Sequence, residues 1–333
     1  MKNALLNFAR FFWRKYLYWK RGRDILAMFK RDGLRYCENL GDRHIDRREA
    51  ALARIIMGYH MVEKGLTMPR RRLGFGVGAI TELLDNIEAF ERKFGRDDQQ
   101  LQVAIGVVRS YYDLHASSNF KFENEEFTRR LNGFIEDRKS IPPTEQLHFN
   151  RADFYAARES SFPEFARSRH TVRHFEGQVP EEVIKAAVEL AMTAPSACNR
   201  QHVRVHCVSN HETRDEIFKL QGGNRGFGAD ADKILLVTTD LSDLRWAEER
   251  NDGFTNAGMF MMNLCYALHY NQIAHCILNW SVGHASDKTL RTIVDIPETE
   301  VVVGIIACGK APESFEVARS TRKTLDKILR FHQ

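Results

Sequence analysis

Two basic side chains and a polar loop are the parts of this sequence best suited to bind an anionic ligand that also carries a ring. Arg169 and Arg173 lie four residues apart in a basic turn, with Thr171 between them. Guanidinium groups bind phosphate through charge-assisted hydrogen bonds, each worth about 1.5–3 kcal/mol when well placed. A second segment, 195–201, offers neutral donors and acceptors for the edge of a heterocycle. Its polar members are Ser196, Asn199 and Gln201, while Pro195 restrains the loop and Ala197 and Cys198 are small.

A predicted amphipathic helix joins these two segments. Pro180, Glu181 and Glu182 suit its first turn, because proline is tolerated there and acidic side chains favour the positive end of a helix. The helix is predicted from 183 to about 192, and an apolar, strand-like run follows the polar loop at 203–208. The two motifs in this order, joined by a capped helix, form a fairly specific signal.

The two segments together resemble the FMN-dependent nitroreductase family. Its signature is Arg-Arg/His-Ser/Thr-x-Arg/Lys-x-Phe, followed later in the chain by Pro-Ser-x-x-Asn-x-Gln. This chain has Arg-His-Thr-Val-Arg-His-Phe at 169–175 and Pro-Ser-Ala-Cys-Asn-Arg-Gln at 195–201. The resemblance, which begins near 165, implies an α+β fold. It is an α/β/α sandwich with a mixed, mainly antiparallel sheet flanked by helices, to which this chain adds an all-α N-terminal extension.

The resemblance also implies which basic residues hold FMN. Side chains of the first motif would contact its phosphate and ribityl chain, and Arg173 would place positive charge near N1 and O2 of the flavin. Basic residues after the last strand return to the phosphate in this family, and Arg322 matches them best. The first set is Arg169, His170, Thr171 and Arg173; the second is Arg319, Arg322 and Lys323. An exposed basic turn and a solvated helix start are the alternatives.

Three further segments are assigned to the flavin by the same resemblance. The Pro-Ser loop reaches the flavin of the opposite subunit in this family, while Asn199 and Gln201 would fix the loop or touch the ring. Asn224, in a glycine-rich loop, is a candidate for the pyrimidine edge, with a flexible connection as the alternative. Asn279 and Trp280 match, by position, the segment whose N–H groups face N5 and O4. The loop residues carried over are Pro195, Ser196 and Ala197, and Ala197 replaces the family's second serine.

The resemblance implies that no protein side chain is catalytic, because the flavin carries the redox chemistry. Hydride would pass from NADH or NADPH to flavin N5 and then to a small oxidised substrate, in a ping-pong cycle. The substrate would be a nitroaromatic, a quinone or an intermediate of polysaccharide biosynthesis. The last of these is included because HMVEKGL at 60–66 and the later GFG resemble a nitroreductase-like subgroup associated with polysaccharide loci. Two alternatives stay open: a flavin-binding or flavin-free scaffold protein of such a system at the membrane, and flavin chemistry without nicotinamide.

The first 150 residues are predicted to be a helical extension, and 151–333 the FMN-binding domain. Helices are predicted at 47–61, 80–94 and 99–115, with Gly65 as a helix C-cap. The HMVEKGL segment and the basic loop after it either bind an anion at the active site or form only a structural helix end. His60 and Glu63 supply too few ligands for a metal, so no metal site is predicted.

The first 24 residues interleave aromatic and basic side chains. This pattern is typical of a helix lying on an anionic membrane surface. Packing on the protein's own body or on a dimer partner is the alternative. We predict a cytoplasmic protein. Peripheral contact with the inner face of the membrane is one role predicted for residues 1–24.

Composition sets the remaining limits. Among the 333 residues, 43% are hydrophobic and 28% charged, as in globular proteins, and the net charge of +5 is too small to argue for nucleic acid. The six cysteines show no C-x-x-C spacing, which favours free thiols in a reducing compartment.

Strands are predicted at 203–208, 234–238, 273–278 and 301–307, and a last helix at 325–331. The family resemblance implies that the apolar helix 255–269 forms the interface of a homodimer with flavin between its subunits; the alternative is the core of a monomer.

Overall fold

A computed structural model describes residues 2–332, with the side chains of 2–7 and 9 left out; residue 1 of the N-terminal segment lies outside it. Helices dominate the first part of the chain, and strands appear only from residue 147. The helices are α1 (Lys2–Asn39), α2 (Arg48–Leu66), α3 (Val77–Phe94), α4 (Gln99–Ser117), α5 (Glu125–Glu136), α6 (Arg151–Tyr155), α7 (Phe162–Ser168), α8 (Glu181–Ala191), α9 (His211–Leu220), α10 (Asp252–Tyr270) and α11 (His284–Ile293). The strands are β1 (Leu147–Asn150), β2 (Val203–Val208), β3 (Lys233–Asp240), β4 (Ala274–Asn279), β5 (Glu300–Gly309) and β6 (Ser314–Val317).

A four-stranded antiparallel sheet with the order β2-β3-β5-β4 forms the centre of the second part. Ile306 of β5 pairs with Leu235 on one side and with Ile277 on the other. Apolar side chains of α8 and α10 cover one face, and those of α9 and α11 cover the other. The two central strands are therefore apolar along their length, since both faces are buried. The predicted α+β class, with helices on both sides of a sheet, is confirmed.

The early helices α2 to α5 enclose a hydrophobic core of their own. It includes Tyr59, Phe90 and Tyr111, each almost fully buried. Asp98 caps α4 by accepting a hydrogen bond from the Gln100 N–H at 2.8 Å, which satisfies a donor that the first helical turn leaves free. The predicted helical N-terminal region is confirmed. The boundary at residue 150 stays a prediction, and β1, just before it, pairs antiparallel with β6.

Two local predictions were wrong. Gly65 is not a C-cap: it lies inside α2, and Thr67 caps the helix. A Cβ at Gly65 would lie 2.1 Å from the Phe75 ring, so close packing explains the glycine. The last helix shrinks to a 3₁₀ turn at Leu325–Lys327, since the apolar side chains there remain exposed and packing supplies most helix stability.

Helix α1 contacts the rest of the chain only through part of its length. Arg250 donates a hydrogen bond to Asp32 at 2.9 Å, and the Arg21 guanidinium lies 5.3 Å from the Trp246 ring centroid. The aromatic side chains nearer its start are exposed, with Trp13 at 60% and Tyr18 at 83%. Packing on the protein's own body therefore does not cover these residues within one chain. Among the described helices, none combines the length and apolarity that crossing a bilayer requires.

Candidate functional site

The first motif, 169–175, runs in extended form beside the edge strand β4. The Val172 N–H donates to the His275 carbonyl at 3.0 Å, and the Glu176 N–H donates to the Lys310 carbonyl at 2.8 Å. Val172 and Phe175 are buried against the sheet. Backbone pairing and these two apolar anchors thus fix the position of Arg173 between them, with Arg169 three residues before the first anchor.

Arg169, His170, Arg319 and Arg322, here called the phosphate cluster, bring the two predicted basic segments together. Burial lowers the pKa of the His170 imidazole, and the nearby charges of the three arginines lower it further. The Nε of Arg169 is buried and has no hydrogen-bond partner. Within residues 2–332, none of the three arginines forms an ion pair with a carboxylate, and Arg319 donates instead to the Glu145 carbonyl at 2.6 Å. A concentration of positive charge without a counter-ion is suited to binding an anion.

Lys323, predicted for the same site, stays a prediction as an FMN ligand. It is exposed and lines a surface cavity of about 340 Å³ together with Arg48, Asp98 and Asp326. Carboxylates are therefore among its neighbours there. Thr171 is half-buried between the two arginines of the first motif.

Arg173 has a neighbour that the sequence analysis did not assign to the cofactor. Lys64, at the end of α2, is half-buried, and burial lowers the pKa of its ammonium, with the charge of Arg173 adding to the effect. Both charges also act on the Cys276 thiol of β4, whose pKa is raised by burial. In the part of the chain that is described, neither cation has a carboxylate within ion-pair distance. The sequence analysis pointed to Lys64 only through the alternative that the HMVEKGL segment, 60–66, binds an anion.

The Pro-Ser loop is held by its own hydrogen bonds. Ser196 Oγ accepts from the Gln201 N–H at 3.0 Å, and the Gln201 side chain donates to the Asn199 carbonyl at 3.1 Å. The Ala197 N–H donates to Oδ1 of Asn256, a buried residue of α10 that the sequence analysis missed. Asn199 and Gln201 thus hold the loop in shape, which is one of the two roles predicted for them. The other role, contact with the flavin ring, stays a prediction. Across the described residues, no hydrogen bond or ion pair connects this loop to Arg169 or Arg173.

The glycine-rich loop and the end of β4 lie together. Asn224 Nδ2 donates to the Phe218 carbonyl at 2.7 Å and also to the Gln221 carbonyl. Gln221 in turn donates to the Asn279 carbonyl at 3.1 Å. Trp280 donates through Nε1 to Asp287 at 3.0 Å. The Asn224 amide group therefore stabilises its own loop, and contacts of Asn224, Asn279 and Trp280 with a flavin stay predictions.

Two buried histidines lie behind Arg169. Burial, together with the charge of Arg169, lowers the pKa of His275 to about 4. Burial, with the charges of His275 and Arg169, lowers that of His269 to about 3. His269 Nε2 lies 2.9 Å from Ser168 Oγ. Both imidazoles are therefore neutral at pH 7, and nothing in the sequence pattern had singled them out.

An open apolar cavity of about 340 Å³ adjoins the Pro-Ser loop between α8, β2 and α10. Val188, Met192, Val203 and Phe260 line it beside Pro195. The exposed surface around it is also apolar. It includes Leu190, Met192, Met259 and Met262. Large exposed apolar patches mark interaction surfaces.

Comparison with known proteins places the first two motifs in one family. Residues 166–223 match the model of the nitroreductase family, which confirms the predicted family resemblance. No curated protein matches the chain. Among solved structures, a nitroreductase family protein from Streptococcus pneumoniae is 22% identical with a TM-score of 0.46 and covers 52% of this chain and 100% of its own.

Two other solved structures give similar values. An FMN-dependent nitroreductase from Clostridium difficile is 17% identical with a TM-score of 0.42 and covers 51% of this chain and 98% of its own. A nitroreductase-like protein from Streptococcus mutans is 19% identical with a TM-score of 0.45 and covers 52% and 98%. Each pairs about half of this chain with nearly all of the matched one.

Proposed function

We infer that this chain is a nitroreductase-family protein, matched by the family model over residues 166–223, and that it is an FMN-dependent oxidoreductase using NADH or NADPH. The observation that carries this inference is the phosphate cluster. Its three arginines come from segments about 150 residues apart, and none of them forms an ion pair with a carboxylate among the described residues. An anion such as the FMN phosphate supplies the missing counter-charge and a partner for the buried Arg169 Nε.

The rest of the site is consistent with the remainder of FMN. Arg173 provides a second positive group, suited to the N1 and O2 edge, where a reduced flavin gathers negative charge. When bound, FMN supplies the hydride-transfer chemistry, while the protein orients it and adjusts the surrounding charge. None of the described side chains is needed as an acid, base or nucleophile in this scheme. The substrate we propose is a small oxidised molecule, such as a nitroaromatic, a quinone or an intermediate of polysaccharide biosynthesis.

An absorbance spectrum of the purified protein tests this function directly. We expect visible flavin bands, either as isolated or after FMN is added, and we expect anaerobic NADH or NADPH to bleach them. A colourless protein that takes up no FMN would refute the proposal and leave the scaffold alternative. Bound flavin that neither nicotinamide bleaches would instead indicate flavin chemistry without nicotinamide.

We further propose a cytoplasmic homodimer in which the Pro-Ser loop of one subunit completes the flavin site of the other. The loop makes no polar contact with Arg169 or Arg173 of its own chain, and the apolar surface of α8 and α10 lies next to it. The cysteines support a reducing compartment, because all six are free thiols.

Glutamates at Met259 and Met262 would break this dimer. We expect the double change Met259→Glu and Met262→Glu to halve the molar mass measured by light scattering, because burying two carboxylates in an apolar interface is costly. The affinity for FMN should fall as the dimer dissociates. Met57→Glu, at an exposed residue on α2, is the matched control and should leave both unchanged. A wild-type monomer that binds FMN at full affinity would contradict the dimer.

A further inference from the structure

The end of α2 is bound to both basic segments of the proposed FMN site. His174 Nε2 lies 2.6 Å from the Thr67 carbonyl oxygen, which connects α2 to the first motif. The fully buried Glu63 accepts a hydrogen bond at Oε1 from the Ser320 N–H at 3.2 Å, and its Oε2 lies 3.3 Å from His60 Nδ1. The extension thereby helps to position the segment that carries Arg319 and Arg322.

Lys64 follows Glu63 directly and lies one helical turn before Thr67, whose carbonyl contacts His174, the neighbour of Arg173 in sequence. Holding two positive side chains together in a partly buried place is unfavourable, because each raises the electrostatic energy of the other. Buried positive charges are usually neutralised by an ion pair with a carboxylate. In residues 2–332, however, no carboxylate lies within ion-pair distance of Lys64 or Arg173. Other partly buried cations of this chain, such as Arg138 and Arg200, do have glutamate partners. Two such cations without a carboxylate between them are suited to binding electron-rich ligand atoms.

This pair is distinct from the phosphate cluster. The charges of Arg169, Arg319 and Arg322 act together on the pKa of His170, whereas the charge of Arg173 acts on that of Lys64. The two arginines lie four residues apart in an extended segment, a separation of up to about 13 Å between their Cα atoms. Two separate positive groups match a ligand with a phosphate at one end and an electron-rich ring edge at the other.

We propose that Lys64, supplied by the helical extension, is a flavin ligand that shares the N1 and O2 edge of the ring with Arg173 and favours the reduced flavin. This rests on the proposed FMN-dependent function. Negative charge gathers at N1 on reduction, so a second cation there stabilises the reduced form more than the oxidised form. The extension is then part of the redox site as well as a folded unit beside it.

Titration of the full-length protein with FMN and with riboflavin, followed by flavin fluorescence, tests this role. Riboflavin lacks the phosphate, so it isolates contacts to the ring and ribityl chain. We expect Lys64→Met and Lys64→Gln to weaken both ligands by a similar factor, about tenfold or more. Lys64→Arg should restore most of the affinity, and Lys121→Met, at an exposed lysine, is the control.

The midpoint potential of bound FMN gives a second readout that a merely structural residue would not move in this direction. A tenfold greater loss of affinity for reduced than for oxidised flavin lowers the potential by about 30 mV. Loss confined to FMN would show that Lys64 serves the phosphate and would overturn the assignment, as would unchanged binding of both ligands. A wild-type protein that binds neither ligand would refute the FMN-dependent function itself, whereas normal wild-type binding with unaltered Lys64 variants would refute only this inference.

Discussion

Replacing Arg169 by methionine should lower the affinity for FMN by about 10- to 150-fold and leave riboflavin binding nearly unchanged. The factor corresponds to one charge-assisted hydrogen bond of about 1.5–3 kcal/mol, lost from a ligand that carries the phosphate. Methionine keeps much of the apolar volume of the arginine stem, so the adjacent core should persist. Fluorescence titration with both ligands measures the two affinities.

Arg167→Met is the matched control, because Arg167 lies two residues earlier, is exposed and donates a hydrogen bond to the Pro163 carbonyl of its own helix. It should bind both flavins like the wild type. Equal losses for FMN and riboflavin in Arg169→Met would contradict a phosphate role and would indicate a general collapse of the site. Unchanged FMN binding would exclude Arg169 as a ligand.

The flavin-free protein should lose stability as the pH falls below about 6.5, the ordinary pKa of histidine. Burial lowers the pKa of His269 to about 3 and that of His275 to about 4, so the unfolded chain binds more protons than the folded one at mildly acidic pH. Stability is then complete above pH 6.5 and declines towards the folded pKa values. Each histidine contributes a slope of about 1.4 kcal/mol per pH unit in this window. Urea unfolding at several pH values between 7.5 and 4.5 measures the decline.

His269→Phe separates the proton from the packing. Phenylalanine can keep the aromatic contacts with Phe154 and Phe165, whose ring centroids lie 4.9 and 5.4 Å from the imidazole, but it cannot be protonated. The slope of the unfolding free energy against pH should fall by the contribution of one histidine. This holds even if the lost contact with Ser168 lowers stability at every pH. His284→Gln changes an exposed histidine and should leave the slope as it was. A slope unaltered by His269→Phe would refute the linkage.

Much of the second part of the chain was predictable because its signals are local. The alternation and length of apolar runs predicted all four strands of the central sheet within about three residues at each end. Pro180 and the acids after it marked the start of α8, since capping chemistry depends only on neighbours in sequence. The motifs at 169–175 and 195–201 carried the resemblance, and the family model matches the segment 166–223 that contains both.

The failures share a cause as well. The apolar residues near the end of the chain suggested a helix, but a short helix forms only where a surface receives its apolar face. Gly65 suggested a helix end, yet the nearness of the Phe75 ring explains it. In both cases a local pattern was consistent with two structures, and contacts with another part of the chain selected one.

The sequence by itself determined the family resemblance, the two motifs that carry it and the elements on either side of them, because residue type, spacing and periodicity act over short stretches of chain. Tertiary structure alone decided which distant residues meet. Glu63 contacts Ser320 across 257 positions, and Lys64 reaches Arg173 from a helix that the family match does not include. Such meetings depend on how whole elements pack, and burial in that packing is also what keeps His269 and His275 neutral.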